Sequence, residues 1–340
     1  MRATRVLVWV HRWAGIVLCL FFSLWFVSGA ILIYVPFPSL SQAARLRGAE
    51  TVDVSRIVVS PGEAVRASAV GALDRLRVVN VDGRVIYVLQ PLGAPVRAVD
   101  AHSGIAIEAF DVATASRVAA GFAKLRVKRI EGPIDFDQWM VADEFDALRP
   151  FYRAEIADTI GTELYVSARS GEVVQWTHRH ERAWNYLGAV VHWIYPTVLR
   201  RHWVVWDQVV WWLSLAGIIV ASIGIWLGIT RVPGRQRSGR WKLTPFRGWL
   251  RWHHILGLSA GAIVFTWILS GWLSMDHGRL FSLPDPAEGR TARFRGVPLS
   301  EVAQSIRAEQ LRQIGPFHEA ELNVISSVPL WVTRDPEHQL

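Results

Sequence analysis

The sequence predicts an integral membrane α-helical protein with three transmembrane helices and a water-exposed α+β domain. Three observations carry this. Residues 13–35, 208–230 and 255–275 each run about 21 to 23 residues without a charged side chain, enough to cross roughly 30 Å of hydrocarbon. Between the first two runs the chain turns to mixed charge, short alternating strands and turn dipeptides. Lys and Arg then concentrate in the short loop between the second and third runs. A hydrophobic share of 51%, with 18 Trp, fits the same class.

Residues 1–35 form the first span. A secretory h-region is about 7 to 15 residues long; this run is longer and no small-residue cleavage site follows it, so it reads as an uncleaved anchor. Pro36 and Pro38 end it. Cys19, the one cysteine, lies inside the run as packing, so no disulfide framework is expected.

Residues 36–183 form the main soluble domain. Ser60-Pro61-Gly62-Glu63 is a capping box with proline at the first helical position and opens a helix to about Leu73. Strands 77–81 and 85–89 flank Asp82-Gly83, a two-residue hairpin signal, and strands 96–101 and 105–108 flank Ser103-Gly104. The unit is a helix followed by a four-stranded antiparallel meander. A weaker second copy has a helix near residues 114–126 and a hairpin over 163–174 turning at Ser170-Gly171.

Residues 184–230 combine an outer amphipathic segment with the second span. A continuous helix over 184–228 would be about 68 Å long, and Pro196 interrupts it, so the segment must break or protrude. Residues 231–252 are a basic loop: Arg231, Arg235, Arg237, Arg240, Lys242, Arg247 and Arg251 occur with no acid, which assigns the loop to the cytoplasm. Two spans separate it from the N-terminus, whose Arg2, Arg5 and Arg12 favour the same side. The net charge of +8 then belongs beside an anionic leaflet and needs no nucleic-acid partner. Residues 253–276 form the third span. In 277–340, residues 297–312 and 323–333 read as the opening helix and first strands of a partial further copy. It stops before a closing hairpin, as if truncated or completed by a partner's sheet.

A second repeat concerns the spans themselves. A shift of 242 residues lays His11, Gly15, Trp25, Ser28 and Gly29 onto His253, Gly257, Trp267, Ser270 and Gly271. Histidines at equivalent depth in two spans either anchor at the interface with the neighbouring Trp residues or clamp one haem iron from both faces. The repeat register selects His253; His254, about 100 degrees round the helix, should face headgroups or a haem propionate. His192, on an apolar segment, is the candidate ligand of a second, outer haem b, with His277 or His202 opposite. Arg200 and Arg201 either neutralise propionates or snorkel to headgroups.

His178 and His180 have metal-compatible spacing but no third ligand at a recognisable distance, and read as a polar stretch beside the membrane. His102, His318 and His338 read as surface residues. The chain has no phosphate-binding loop, dinucleotide fingerprint, covalent-haem motif or nucleophile elbow, which removes support from ATPase and hydrolase readings. The cytoplasmic loop is too short to bind flavin or nicotinamide, so an electron donor would be a separate cytoplasmic protein or a membrane quinol.

The run from His11 through Gly15, Trp25 and Gly29, the hairpins at residues 99–104 and 166–171, residues 187–192 and the run from His253 to Gly271 together resemble PepSY-associated transmembrane proteins. The resemblance covers nearly the whole chain. It implies a bacterial inner-membrane protein of the iron-regulated group with PepSY-like periplasmic repeats, similar to haem-containing reductases that release iron from ferric siderophores. By that likeness His11 and His253 serve an inner haem and His192 an outer one. The chain departs from the pattern in lacking a fourth span and a complete second outer domain. The expected function is transmembrane electron transfer to a periplasmic ferric chelate. The alternatives are a non-catalytic anchored binding module and an accessory subunit of a transporter, with a homo-oligomer or a partner membrane subunit completing the assembly.

Overall fold

The computed structural model describes residues 2–235, 241–281 and 296–336; Arg237, Arg240 and His338 lie outside them. The chain divides into two units, described separately.

The helical unit comprises residues 1–34 and 187–284. Helices α1 (Arg2–Tyr34), α8 (Trp203–Ile229) and α9 (Gly248–Ser274) are each long and apolar enough to cross a membrane. They are apolar all round: Val17, Leu20, Val204 and Ile263 point outward, as expected of helices solvated by lipid. α8 packs along α9 and α1, and glycine permits the approach. A Cβ on Gly228 would lie 2.7 Å from a Leu258 methyl, and one on Gly217 3.2 Å from Phe22.

The expected interruption ahead of α8 is present. Helix α6 (Ala189–His192) ends at Trp193, Ile194 takes a left-handed φ of 53°, and after Pro196 the short α7 (Thr197–Arg200) leads into α8. A two-residue ladder, β9 (Gly234–Arg235) with β10 (Trp241–Lys242), lies in the basic loop.

The α+β unit comprises residues 35–186 and 285–340. Ser60 and Glu63 form the predicted capping box at the start of α3 (Pro61–Ala67). The helix ends short of Leu73, because Ser68 folds its hydroxyl back onto the Val65 carbonyl and Ala69 turns left-handed. The meander follows as β1 (Leu73–Val81), β2 (Arg84–Pro91), β3 (Arg97–Asp100) and β4 (Ala106–Ile107). Asp82 and Gly83, both with positive φ, make the β1–β2 turn. The second copy is α4 (Val112–Ala123), capped by Asp111, on a sheet ordered β5 (Val127–Ile134), β6 (Phe151–Ile156), β7 (Glu163–Ser167), β8 (Val173–Thr177).

The C-terminal residues do not form the start of a separate region. Helix α10 (Leu299–Ser305) packs on α3, and β11 (Glu319–Ile325) pairs antiparallel with β1 while β12 (Val328–Arg334) extends it. The first sheet therefore has six strands, ordered β12-β11-β1-β2-β3-β4. Leu76, Tyr87, Val302, Leu311, Phe317 and Leu322 share its core. A Cβ on Gly62 would lie 2.6 Å from the Gln304 Cα, so the two helices meet where glycine leaves room. The expected surplus copy is the other half of the first sheet.

A buried ionic network fastens this arrangement. Arg77 on β1 and Arg45 on α2 (Gln42–Gly48) each bridge Glu172 and Glu319, and Arg334 on β12 bridges Glu319 and Glu321. Glu172 sits at the β7–β8 turn, so the network joins the second sheet to both halves of the first.

Candidate functional site

The polar residues of the helical unit gather at two levels of α1. At the first, the His11 ring lies on α8 with Nδ1 3.1 Å from the Val220 carbonyl oxygen. Gly224 lies directly beneath it: a Cβ there would sit 2.5 Å from the imidazole Cε1. When Nδ1–H donates to that carbonyl, Nε2 carries the free lone pair, the tautomer of a metal-ligating histidine. The His253 ring centroid is 6.2 Å away at an interplanar angle of 47°. Two imidazoles bound end-on to one metal ion, at about 2 Å each, place their centroids about 6 Å apart.

His254 behaves differently from its expected role. It is buried rather than turned to headgroups or a propionate, with Nε2 2.9 Å from the Gly228 carbonyl and its ring edge-on to Phe246. The close α8–α9 approach at Gly228 draws that face of α9 inward. Its Nδ1 is buried without a hydrogen-bond partner.

At the second level, His192 rests on α1. Its Nδ1 is 3.0 Å from the Trp25 carbonyl and 3.4 Å from Ser28 Oγ, and its ring stacks on the Trp25 indole at 5.0 Å and 3°. A Cβ on Gly29 would come within 2.7 Å of its Cε1. His192 and Trp25 line a cavity of about 740 Å³ between α1, the α6–α7 segment, α8 and α9, walled by aromatic and aliphatic side chains. A volume of this size falls in the range of small-molecule and cofactor sites.

The two seats share one geometry. In each, the accepting carbonyl and the glycine are four residues apart, Val220 with Gly224 and Trp25 with Gly29. A helical carbonyl points along the axis towards residue i+4, so an imidazole reaching its second lone pair lies against that residue, where a side chain would displace it.

The remaining expected residues lie around this cavity or away from it. His277 is held by Asp207, Nε2 to Oδ2 at 2.8 Å, and stacks on Trp211 at 5.2 Å and 2°. Asp207 lines the cavity. His202 is exposed and receives a hydrogen bond from Arg201 Nε at its own Nε2. Arg200 is 5% exposed, its guanidinium 4.4 Å from the Trp203 ring centroid and 5.1 Å from those of Tyr195 and Trp206. All three rings line the cavity, so Arg200 is a caged cation beside it.

In the α+β unit, His178 bonds Thr162 and His180 accepts from the Trp184 indole, so the two do not converge. His318 pairs with Asp335, and His102 is exposed. No group of three or more His, Cys, Asp or Glu suited to a metal ion occurs among the described residues.

Sequence reasoning passed over Asp207, one residue outside the span as drawn, and Val220 with Gly224. The signal for the latter was a glycine within an apolar helix long enough to cross a membrane. The chain matches no family model, no curated protein and no solved structure.

Proposed function

We propose that this protein carries haem b at two levels of the membrane and conducts electrons across it to a ferric chelate, a siderophore or similar hard-oxygen complex. One observation carries the reading. His11 and His192 are presented alike, Nδ1 anchored to a backbone carbonyl and ring backed by the glycine four residues on, His11 of α1 seated on α8 and His192 seated on α1. Haem supplies a one-electron couple at iron, and the protein's part is to hold and tune it.

His11 and His253 would hold the inner group, and His192, beside the aromatic cavity, the outer one. The seats at Gly224 and Gly29 fix the ring planes, and aromatic and aliphatic side chains make up most of the outer cavity's wall. Trp25 lies 14 residues from His11, about 21 Å along α1, so the two levels divide the crossing into shorter electron steps. The caged Arg200 adds a fixed positive charge near the outer level, which favours the reduced, less positive state of a bound iron group.

The seven basic residues after α8 support a cytoplasmic loop and N-terminus and, with the family resemblance, the reading of the α+β unit as periplasmic in a bacterial inner membrane. The helix-and-meander copies support the resemblance to PepSY-associated transmembrane proteins, and with it the chelate as substrate. A soluble reductase or a membrane quinol would be the donor, and Fe(II), bound weakly by hard oxygen ligands, would leave the chelate after reduction.

The test is the visible spectrum of the detergent-purified protein, oxidised and dithionite-reduced, beside His11→Ala, His253→Ala and His192→Ala. A b-type α-band that falls partially in each variant is expected. A colourless, folded protein purified from haem-replete cells refutes electron transfer and favours an anchored binding module or a transporter subunit.

A further inference from the structure

The His192 seat on α1 has a counterpart on α9. The 242-residue repeat equates Trp25, Ser28 and Gly29 with Trp267, Ser270 and Gly271, and the equivalence extends to side-chain detail. Ser28 Oγ donates to the Trp25 carbonyl at 2.8 Å, and Ser270 Oγ donates to the Trp267 carbonyl at 3.0 Å. Trp267 and Gly271 line the same 740 Å³ cavity as Trp25 and His192.

The two copies differ in what covers them. Ser28 is 1% exposed and Gly29 is in contact with an imidazole. Ser270 is exposed, Trp267 is 56% exposed, and a Cβ on Gly271 would meet no atom within 4 Å. Gly15, Gly257 and Gly261 are equally open, but none of them lines the cavity and none has a tryptophan four residues before it. Among the described residues the α9 copy alone therefore joins an open glycine, a carbonyl four residues earlier and an indole face at a cavity that already holds one imidazole.

We propose that Trp267, Ser270 and Gly271 form a second imidazole seat, whose occupant lies across the cavity from His192. By equivalence its Nδ1–H would donate to the Trp267 carbonyl, its ring would lie on Gly271 against the Trp267 indole, and its Nε2 would serve as a ligand. The inference rests on the haem reading for its readout and would give the outer centre an imidazole ligand besides His192. Two sources share this chemistry. One is a histidine of this chain, His277 or His202, freed from Asp207 or Arg201; the other is an imidazole from outside it, a partner's histidine or the free molecule. The structure favours the second, since His277 and His202 are both engaged elsewhere.

The experiment is an imidazole titration of the purified ferric protein, followed by the high-spin to low-spin change in the visible and electron paramagnetic resonance spectra. Wild type, Gly271→Val, Trp267→Ala, and the double variant His202→Ala with His277→Ala are compared. The expected wild-type result is a saturable conversion of one haem population, with the signal that depends on His11 and His253 unchanged as an internal control. Gly271→Val fills the seat and should abolish the conversion. Trp267→Ala removes a stacking face worth about 0.5–1.5 kcal/mol and should weaken binding by up to about tenfold. The double variant should titrate as wild type. Equal titration by wild type and Gly271→Val overturns the seat. So does a wild-type outer haem that is already low-spin and becomes high-spin in the double variant, since the chain then supplies the ligand itself. A preparation without any Soret band overturns the seat together with the haem reading, and is told apart from the other failures by that missing band.

Discussion

Replacing Glu319 by Gln should destabilise the α+β unit by about 3 kcal/mol, and two independent routes give that figure. Glu319 is 1% exposed and accepts from Arg45, Arg77 and Arg334. Burial alone would raise its pKa, but Arg77 and Arg45 outweigh burial and hold it at about 2, against 4.5 for an unperturbed carboxyl. At 1.36 kcal/mol per pKa unit, that difference is about 3 kcal/mol of stability at neutral pH. Removal of one partner from a buried ion pair independently costs about 3–5 kcal/mol. The low end applies because Arg45 and Arg77 keep Glu172 and Arg334 keeps Glu321.

For a unit of this size the loss corresponds to roughly 6–12 °C in the midpoint of thermal unfolding, read by far-ultraviolet circular dichroism in detergent. The pH dependence has a definite sign. The folded carboxyl binds its proton more weakly than the unfolded one, so its contribution is complete above about pH 4.5 and is lost as pH falls through about 2. The gap between wild type and Glu319→Gln should therefore close with acidification across that window. A midpoint within 1 °C of wild type at pH 7, or a gap that widens towards acid, refutes the reasoning.

Two further substitutions probe the inner level of the helical unit. Gly224→Val puts a side chain where a Cβ alone would lie 2.5 Å from His11 Cε1. It should remove the inner share of the reduced α-band while leaving the His192-dependent share, measured by difference spectroscopy. His254→Ala should leave the α-band intact where His253→Ala diminishes it, because His254 turns to the Gly228 carbonyl its Nε2, the nitrogen that His11 and His192 leave free; equal losses from the two would reverse the assignment.

What could be read from the sequence divides along a physical line. The spans, the capping box at Ser60, the Asp82-Gly83 turn and the break before α8 are local, set by hydropathy and by the backbone freedom of a few residues. The place of the C-terminal hairpin is not local. Its pairing with β1 joins Leu322 to Leu76 across 246 positions, and nothing in residues 319–334 distinguishes closing an existing sheet from opening a new one. The buried Arg–Glu network was hidden for the same reason, since Arg45, Arg77, Glu172 and Glu319 read singly as surface charges. The histidines were visible as candidates, but the choice between His253 and His254 rested on the repeat register alone. The structure adds a reason, the engagement of His254 through Nε2 rather than Nδ1.

The pairing of carbonyl and glycine also explains why these seats belong in a membrane. A neutral imidazole in hydrocarbon must satisfy its Nδ1–H, since an unpaired polar hydrogen there costs several kcal/mol. Helix carbonyls are the acceptors a membrane protein has in quantity, each with a second lone pair beyond its own i+4 bond. A side chain at i+4 normally shields that lone pair, and glycine uncovers it. Glycine in a helix is unfavourable by about 1 kcal/mol relative to alanine; Gly15, Gly257 and Gly261 carry that cost with no atom within 4 Å of where a Cβ would lie, whereas four others are matched to a contact. At Gly217 and Gly228 the contact is helix packing against Phe22 and Leu258; at Gly29 and Gly224 it is an imidazole. Gly271 faces a cavity and contacts neither, and an alanine there would be accommodated unless something of imidazole's shape is to be received.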